Sequence, residues 1–139
     1  MADPCGACGF ELWHPIADLR VADLALYSDH RFPGRAILSL RDHYDGLQEL
    51  PDDLALDFHR DVRDSIEAIL RATGASRVNF AVLGNSVAHV HGHLIPRYPA
   101  EELLPESSPW DDPRPRGSLE RDRVDSLIEQ IREELNSGE

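Results

Sequence analysis

Apolar positions fall into six runs along this chain, and their spacing changes from run to run. Residues 19–28 (LRVADLALYS) and 35–41 (RAILSLR) are short runs broken by the turn SDHRFPG, and they predict two neighbouring strands. Between Pro51 and Gly74 the period lengthens to that of a helix. Leu54, Phe58, Val62, Ile66, Ile69 and Leu70 fall on one stripe, with Asp52 as the predicted N-cap, Asp53 suited to the positive end of the dipole and Gly74 as the stop. Residues 76–84 and 87–98 (VAHVHGHLIPRY) predict two further strands. Residues 99–117 hold five prolines and read as a loop over the surface. Ser118 is the predicted cap of a last helix carrying Val124, Leu127, Ile128, Ile131 and Leu135 on one side. Residues 1–18 have no clear period, and no repeats are visible. This order predicts one α+β domain over residues 1–139: an antiparallel sheet of about five strands, one long helix and a C-terminal helix.

Charge narrows the partners. Acidic residues outnumber basic ones 26 to 14, a formal charge of −12, which repels a nucleic-acid backbone. Every basic residue is arginine. Without lysine there is no Schiff base and no lysine-bearing phosphate loop, so an anion must be held by arginine, histidine, neutral polar groups or backbone N–H groups. No run reaches the roughly 18–20 apolar residues of a membrane span, and the first residues lack the pattern of a secretory leader. The expectation is a cytoplasmic protein with neither nucleic-acid nor membrane partner.

Three of the seven histidines lie within GNSVAHVHGHLIPRY, residues 84–98. At strand spacing His89, His91 and His93 share one face with Val87 and Ile95; Ala88, Val90, Gly92 and Leu94 form the other, small and apolar. Gly92 marks a place of close approach. One such histidine is ordinarily a hydrogen-bonded structural residue. Three in a row on an apolar strand each need an acceptor or a solvated cleft, which points to chemistry. An imidazole is largely neutral near pH 7 and nucleophilic, provided its second nitrogen gives its proton to an acceptor.

The run H-V-H-G-H-L-I resembles the signature of the histidine triad (HIT) family of nucleotide hydrolases and transferases. LGNSV before it is similar to the family's phosphate-contacting turn, and FPGRAILSLRDH to its turn, second strand and following histidine. Gly92 is smaller than the usual residue there. The resemblance spans about residues 5–98. It implies a HIT-like fold, a homodimer and a nucleotide substrate, a purine nucleotide by preference. It implies that His91 attacks the α-phosphorus to give a nucleotidyl-histidine intermediate and that His93 contacts the phosphate. The Gly84–Ser86 turn would hold phosphate oxygens with Asn85 and Ser86, Asp29 would hold the ribose, Asn79 would line the pocket, and Leu26 and Ile37 would wall the base. The implied reaction is hydrolysis of a nucleoside phosphoramidate or dinucleoside polyphosphate, with nucleotidyl transfer as the alternative. A metallohydrolase with the triad on catalytic zinc and a non-catalytic nucleotide-binding protein are rivals from other classes.

Cys5 and Cys8 make half of a zinc site. His43 and His89 are the candidates to complete it, giving one structural zinc per chain in a zinc-knuckle segment over residues 1–18. Some HIT proteins resemble this arrangement. Free thiols and a disulfide are the alternatives. His14, His30 and His59 read as ordinary; Trp110 reads as an exposed loop aromatic, with folding over a site as the alternative.

Overall fold

The computed structural model describes residues 4–138, so residues 1–3 of the N-terminal segment and Glu139 lie outside it. Five strands, β1 (Pro15–Asp18), β2 (Ala22–Leu26), β3 (Ala36–Leu40), β4 (Arg77–Ala81) and β5 (His91–Arg97), form one antiparallel sheet in the order β1-β2-β3-β5-β4. Helix α1 spans Asp52–Thr73 and α2 spans Arg121–Ser137. This is the α+β architecture expected. No helix among the described residues is long and apolar enough to cross a membrane.

Alternation along the strands decides which face is covered. Ala22, Leu24 and Leu26 of β2, Ala36, Leu38 and Leu40 of β3 and Leu94 of β5 point into one core with Phe58, Val62 and Ile69 of α1 and Val124, Leu127 and Ile131 of α2. Both helices therefore lie on this face. The opposite face carries Ile37, His91, His93 and Ile95 and is left to the N-terminal segment and the Pro-rich loop. Leu26 is packed into this core and also borders the cavity beside the triad, and Ile37 lies on the triad's face, paired with His93.

Several boundaries shift from the sequence expectation. β1 was not expected. It is four residues long, buries only Ile16 fully and is interrupted by a register shift between Pro15 and Ala17, too little to show a period. Helix α1 begins at Asp52 itself, with Pro51 as the cap, whose carbonyl accepts from the Ala55 N–H at 2.9 Å. Asp52 and Asp53 both sit in its first turn, where the dipole favours them. Gly74 ends it in the left-handed conformation (φ 71°), as expected. Helix α2 starts at Arg121 with Glu120 as cap, so Ser118 stays in the loop.

The buried stripe of α1 includes a charge that periodicity misses. Asp61 is fully buried and accepts from the backbone N–H groups of Arg20, Val21 and Ala22 and from the Arg20 guanidinium, so the β1–β2 turn is fastened to the helix. The apolar stripe of α2 is also consumed inside the chain, against α1 and the sheet. It is therefore not free to supply a dimer contact.

Gly92 has a local cause. A methyl group there would lie 2.0 Å from Cε1 of Phe80, whose ring covers the glycine from β4. Gly92→Ala should cost about 1–3 kcal/mol, because the ring must be displaced from a packed position. Denaturant unfolding measures this, and unchanged stability would mean that the ring moves freely.

Candidate functional site

β5 begins only at His91, so His89 is not part of the regular strand, contrary to the sequence expectation. The chain bends here: the His89 N–H bonds back to the Val87 carbonyl at 3.0 Å, and Val90 then bridges Leu40 and Tyr44 through its backbone. The bend separates the first histidine from the other two and turns it toward the N-terminal segment.

There His89 meets Cys5, Cys8 and His43, and the four ligand atoms lie within 4.8 Å of one another. The two thiols are not joined as a disulfide. Cys8 Sγ is 3.4 Å from His89 Nδ1, Cys5 Sγ is 3.7 Å from His43 Nδ1, and the two Nδ1 atoms are 3.2 Å apart. Tetrahedral zinc with ordinary bond lengths sets N···N near ~3.3 Å and S···N near ~3.6 Å. The tautomers agree. His89 Nε2 donates to the Leu40 carbonyl at 2.7 Å and His43 Nε2 to Asp45 at 2.9 Å, so both Nδ1 lone pairs face inward. Two such lone pairs repel unless a cation sits between them. Backbone N–H groups of Ala7 and Cys8 lower the Cys5 pKa to about 6, which makes it a thiolate at neutral pH. The donor set fits zinc with no open position.

The cluster also places Phe10. The Cys5 N–H donates to the Phe10 carbonyl at 2.8 Å, closing the cysteine turn, and the Phe10 ring stacks on His89 and His91 with centroids 5.2 and 4.6 Å away. His91 is buried, and its Nδ1 donates to the His89 carbonyl at 2.6 Å, which leaves a lone pair on Nε2. His93 stands beside it, ring centroids 5.6 Å apart. Its Nδ1 accepts from Arg35 at 3.4 Å, so its proton is on Nε2. Burial, Arg35 and His91 together lower the His93 pKa to about 4, and the ring is neutral at physiological pH.

Asp29 lies 2% exposed beneath Arg35. Its oxygens accept from Arg31 at 2.8 and 3.0 Å and from Arg35 at 3.0 Å. Burial pushes its carboxyl up, but the two guanidiniums outweigh burial and hold it below the usual carboxylate range. The structure thus sets Asp29 to hold Arg35 against His93. Asn79 faces the triad side opposite Ile95, with its oxygen bonded to Arg97 at 2.7 Å. Asn85 and Ser86 are exposed, just after Gly84 in the left-handed conformation (φ 70°).

Sequence reading passed over Arg35, Phe10 and Asp45, and took Trp110 for an exposed loop aromatic in preference to one folded over the site. Arg35 sits between the rings of Tyr27 and Trp110, 4.1 and 5.9 Å from their centroids. Trp110 is not merely an exposed aromatic: its ring meets His93 edge-on at 5.5 Å while 42% of the residue stays open to solvent. Phe10 gave no periodic signal. Asp45 had one, since a carboxylate two residues after a candidate ligand can orient it. An apolar cavity of about 310 Å³ beside the triad is lined by Phe10, Trp13, Ala25, Leu26, Tyr27 and Ile37, among others. A larger one, about 430 Å³, lies between β1, α1 and α2, with none of the histidines in its lining.

No family model matches the chain. It is 34% identical over 73 residues to an uncharacterized HIT-like protein of Methanocaldococcus jannaschii, a match covering 49% of this chain and 56% of that protein, little more than half its length. Among solved structures it superposes on a histidine triad protein from Marinobacter aquaeolei with TM-score 0.78 and 24% identity, covering 89% of each chain. It also superposes on a zinc-bound histidine triad family protein from Mycobacterium smegmatis with TM-score 0.65 and 18% identity, over 90% of this chain and 87% of that one. With that likeness, and with His91 and His93 side by side on β5, the chain has the fold of the histidine triad, or HIT, proteins.

Proposed function

We propose that the protein is a nucleotide hydrolase that attacks the α-phosphate with Nε2 of His91. The observation that carries this is the bond from His91 Nδ1 to the His89 carbonyl, 2.6 Å. It fixes the tautomer in which Nε2 is an unprotonated nucleophile aimed away from the backbone. A bond from Nε2 to phosphorus forms, and the bond to the leaving group breaks with its electron pair. Water then attacks phosphorus, frees the histidine and releases one proton. His93, neutral with its proton on Nε2, donates to a non-bridging oxygen. Asn85, Ser86 and the backbone N–H groups of their turn hold the others. The apolar cavity takes the nucleoside; Asn79, on β4 beyond β5, lies outside its lining, with its side-chain oxygen held by Arg97. Asp29 acts on the substrate through Arg35, since both its oxygens are occupied. The four-residue cluster holds one structural zinc, which fixes the N-terminal segment and so the Phe10 ring on His91. Transfer to an acceptor other than water would use the same intermediate. The catalytic-zinc rival fares worse: His89 turns to the cysteines, and no metal grouping among the described residues includes His91 or His93. A homodimer belongs to this proposal, with the outer edge of β4, one of the sheet's two edges beside the shorter β1, open to pairing.

The test is intact-protein mass spectrometry after a brief mix with a panel of nucleoside phosphoramidates and dinucleoside polyphosphates, quenched without acid. A transient adduct of nucleoside monophosphate mass on His91 is the expected result. Binding without product would leave a nucleotide-binding protein, and product with inverted configuration at phosphorus would mean direct attack by water.

A further inference from the structure

We propose that a second cavity, separated from the apolar one by Arg35, binds the leaving group, and that this group is a phosphate chain. The inference rests on the reading of His91 given above. The cavity measures about 180 Å³ and is lined by Arg31, Arg35, Arg114, Arg116, Asp112 and Trp110, among others. In a chain of net charge −12, four of its 14 arginines surround this one small space. Two carboxylates, Asp29 and Asp112, stand against the four guanidiniums. Arg116 is exposed and makes no ion pair among the described residues. Arg35 lines the cavity while 3% exposed, and its Nε has no hydrogen-bond partner. The four guanidiniums exceed the two carboxylates by two positive charges, an excess that an anion in the cavity would neutralise.

The cavity is built, not a chance cluster. Arg114 reaches across it to the Arg31 carbonyl at 3.2 Å, and His30 Nε2 meets the Pro115 carbonyl at 2.9 Å, so the Pro-rich loop is tied to the turn that carries Arg31 and Arg35. Pro109 is buried, and the Trp110 N–H bonds to Ser108, which sets the indole over His93 and Arg35 as a roof.

Its position on the sheet gives the direction of the substrate. Ile37, in the wall of the apolar cavity, is the β3 partner of His93, and Ile95, in the wall of the arginine cavity, lies two residues beyond His93 on β5. A nucleotide with its base in the first cavity and its α-phosphate at His91 would send its next group past His93 into the second. An amine released from a phosphoramidate places no negative charge there. When the P–O bond to a phosphate breaks, the electron pair stays on the departing oxygen and the new charge develops between guanidiniums that are always ionised. Of the two hydrolyses implied by the triad, the structure favours the polyphosphate.

The experiment has a kinetic and a binding arm, on zinc-loaded wild type and the variant Arg116→Ala, which removes an exposed guanidinium of the cavity and none of the loop's anchoring bonds. Diadenosine triphosphate should lose about tenfold or more in kcat/KM in the variant, and adenosine phosphoramidate should stay within about twofold. Inorganic pyrophosphate, titrated calorimetrically, should bind wild type and weaken about tenfold in the variant. Equal losses for both substrates, or pyrophosphate affinity that is absent or unchanged in the variant, would overturn the proposal. Pyrophosphate bound at these arginines by a protein that turns over neither substrate would leave the anion site standing and remove the hydrolase reading instead.

Discussion

His91→Ala should reduce turnover to background while nucleotide affinity stays within a few fold of wild type. The substitution removes the one ring on β5 whose Nδ1 proton is given to a backbone carbonyl and whose Nε2 is therefore free to attack. Loss of a covalent nucleophile costs several orders of magnitude, because what remains is only the binding and electrostatic help of the surrounding groups. Those groups, His93, Asn85, Ser86 and the apolar cavity, are untouched. The Phe10 ring loses a stacking partner 4.6 Å away, so a modest fall in stability should accompany the kinetic loss. Zinc content should not change, since His91 is outside the ligand cluster. His93→Ala should fall between wild type and His91→Ala, as it removes a phosphate contact and leaves the attacking atom. Wild type should proceed with net retention at phosphorus, the sum of two inversions. Single-turnover kinetics with the variant at high concentration decides the matter. Activity within about tenfold of wild type would show that His91 is not the nucleophile.

Much of this site was legible because its chemistry is local in sequence. A strand repeats every two residues, so H-x-H-x-H puts His91 and His93 on one face without any tertiary information, and the structure agrees. The cysteine pair announces half a metal site by spacing alone, and His43 and His89 do join it. The α+β order followed from one helical period set among strand-like runs. What stayed hidden depends on contacts between distant segments. The bend at His89 is set by the backbone bonds of Val90 to Leu40 and Tyr44, 50 and 46 residues earlier. The fate of Asp29 is decided by two arginines that sequence reading had no reason to aim at it, and a ribose contact and an arginine clamp look alike in the string SDHR. Trp110 lies in a stretch without periodicity, and only the Pro-rich loop's anchorage to residues 30–31 brings it over His93. The stripe on α2 shows the opposite limit: an apolar face is readable, but whether it meets the chain's own helix or a second copy is not.

One zinc per chain, and a marked loss of stability without it, is the other large effect expected. In the absence of metal the cluster holds a low-pKa thiolate, a second thiol and two imidazole lone pairs 3.2 Å apart, an arrangement that a proton only partly relieves. Little else fastens the N-terminal segment to the triad. A metal that binds only the folded chain stabilises it by about 4 kcal/mol when free zinc stands at a thousandfold its Kd. That corresponds to roughly 10–15 °C in Tm for a domain of this size. Protein purified without added metal should contain near one equivalent by elemental analysis. Cys5→Ser and Cys8→Ser should each lose it and melt lower. Asp45→Ala should keep the four ligands and yet weaken zinc about 10- to 100-fold, because His43 then lacks the carboxylate that holds its Nε2 proton. Cobalt in place of zinc should give the thiolate charge-transfer absorption of a mixed sulfur and nitrogen site. The rate per folded molecule should change less than the stability, since no ligand position is open to substrate. Any residual rate loss should trace to Phe10, which Phe10→Ala would reproduce without loss of metal. Metal-free protein that melts at the temperature of the zinc form would mean that the segment is held by packing alone and that the cysteines and His43 are not ligands.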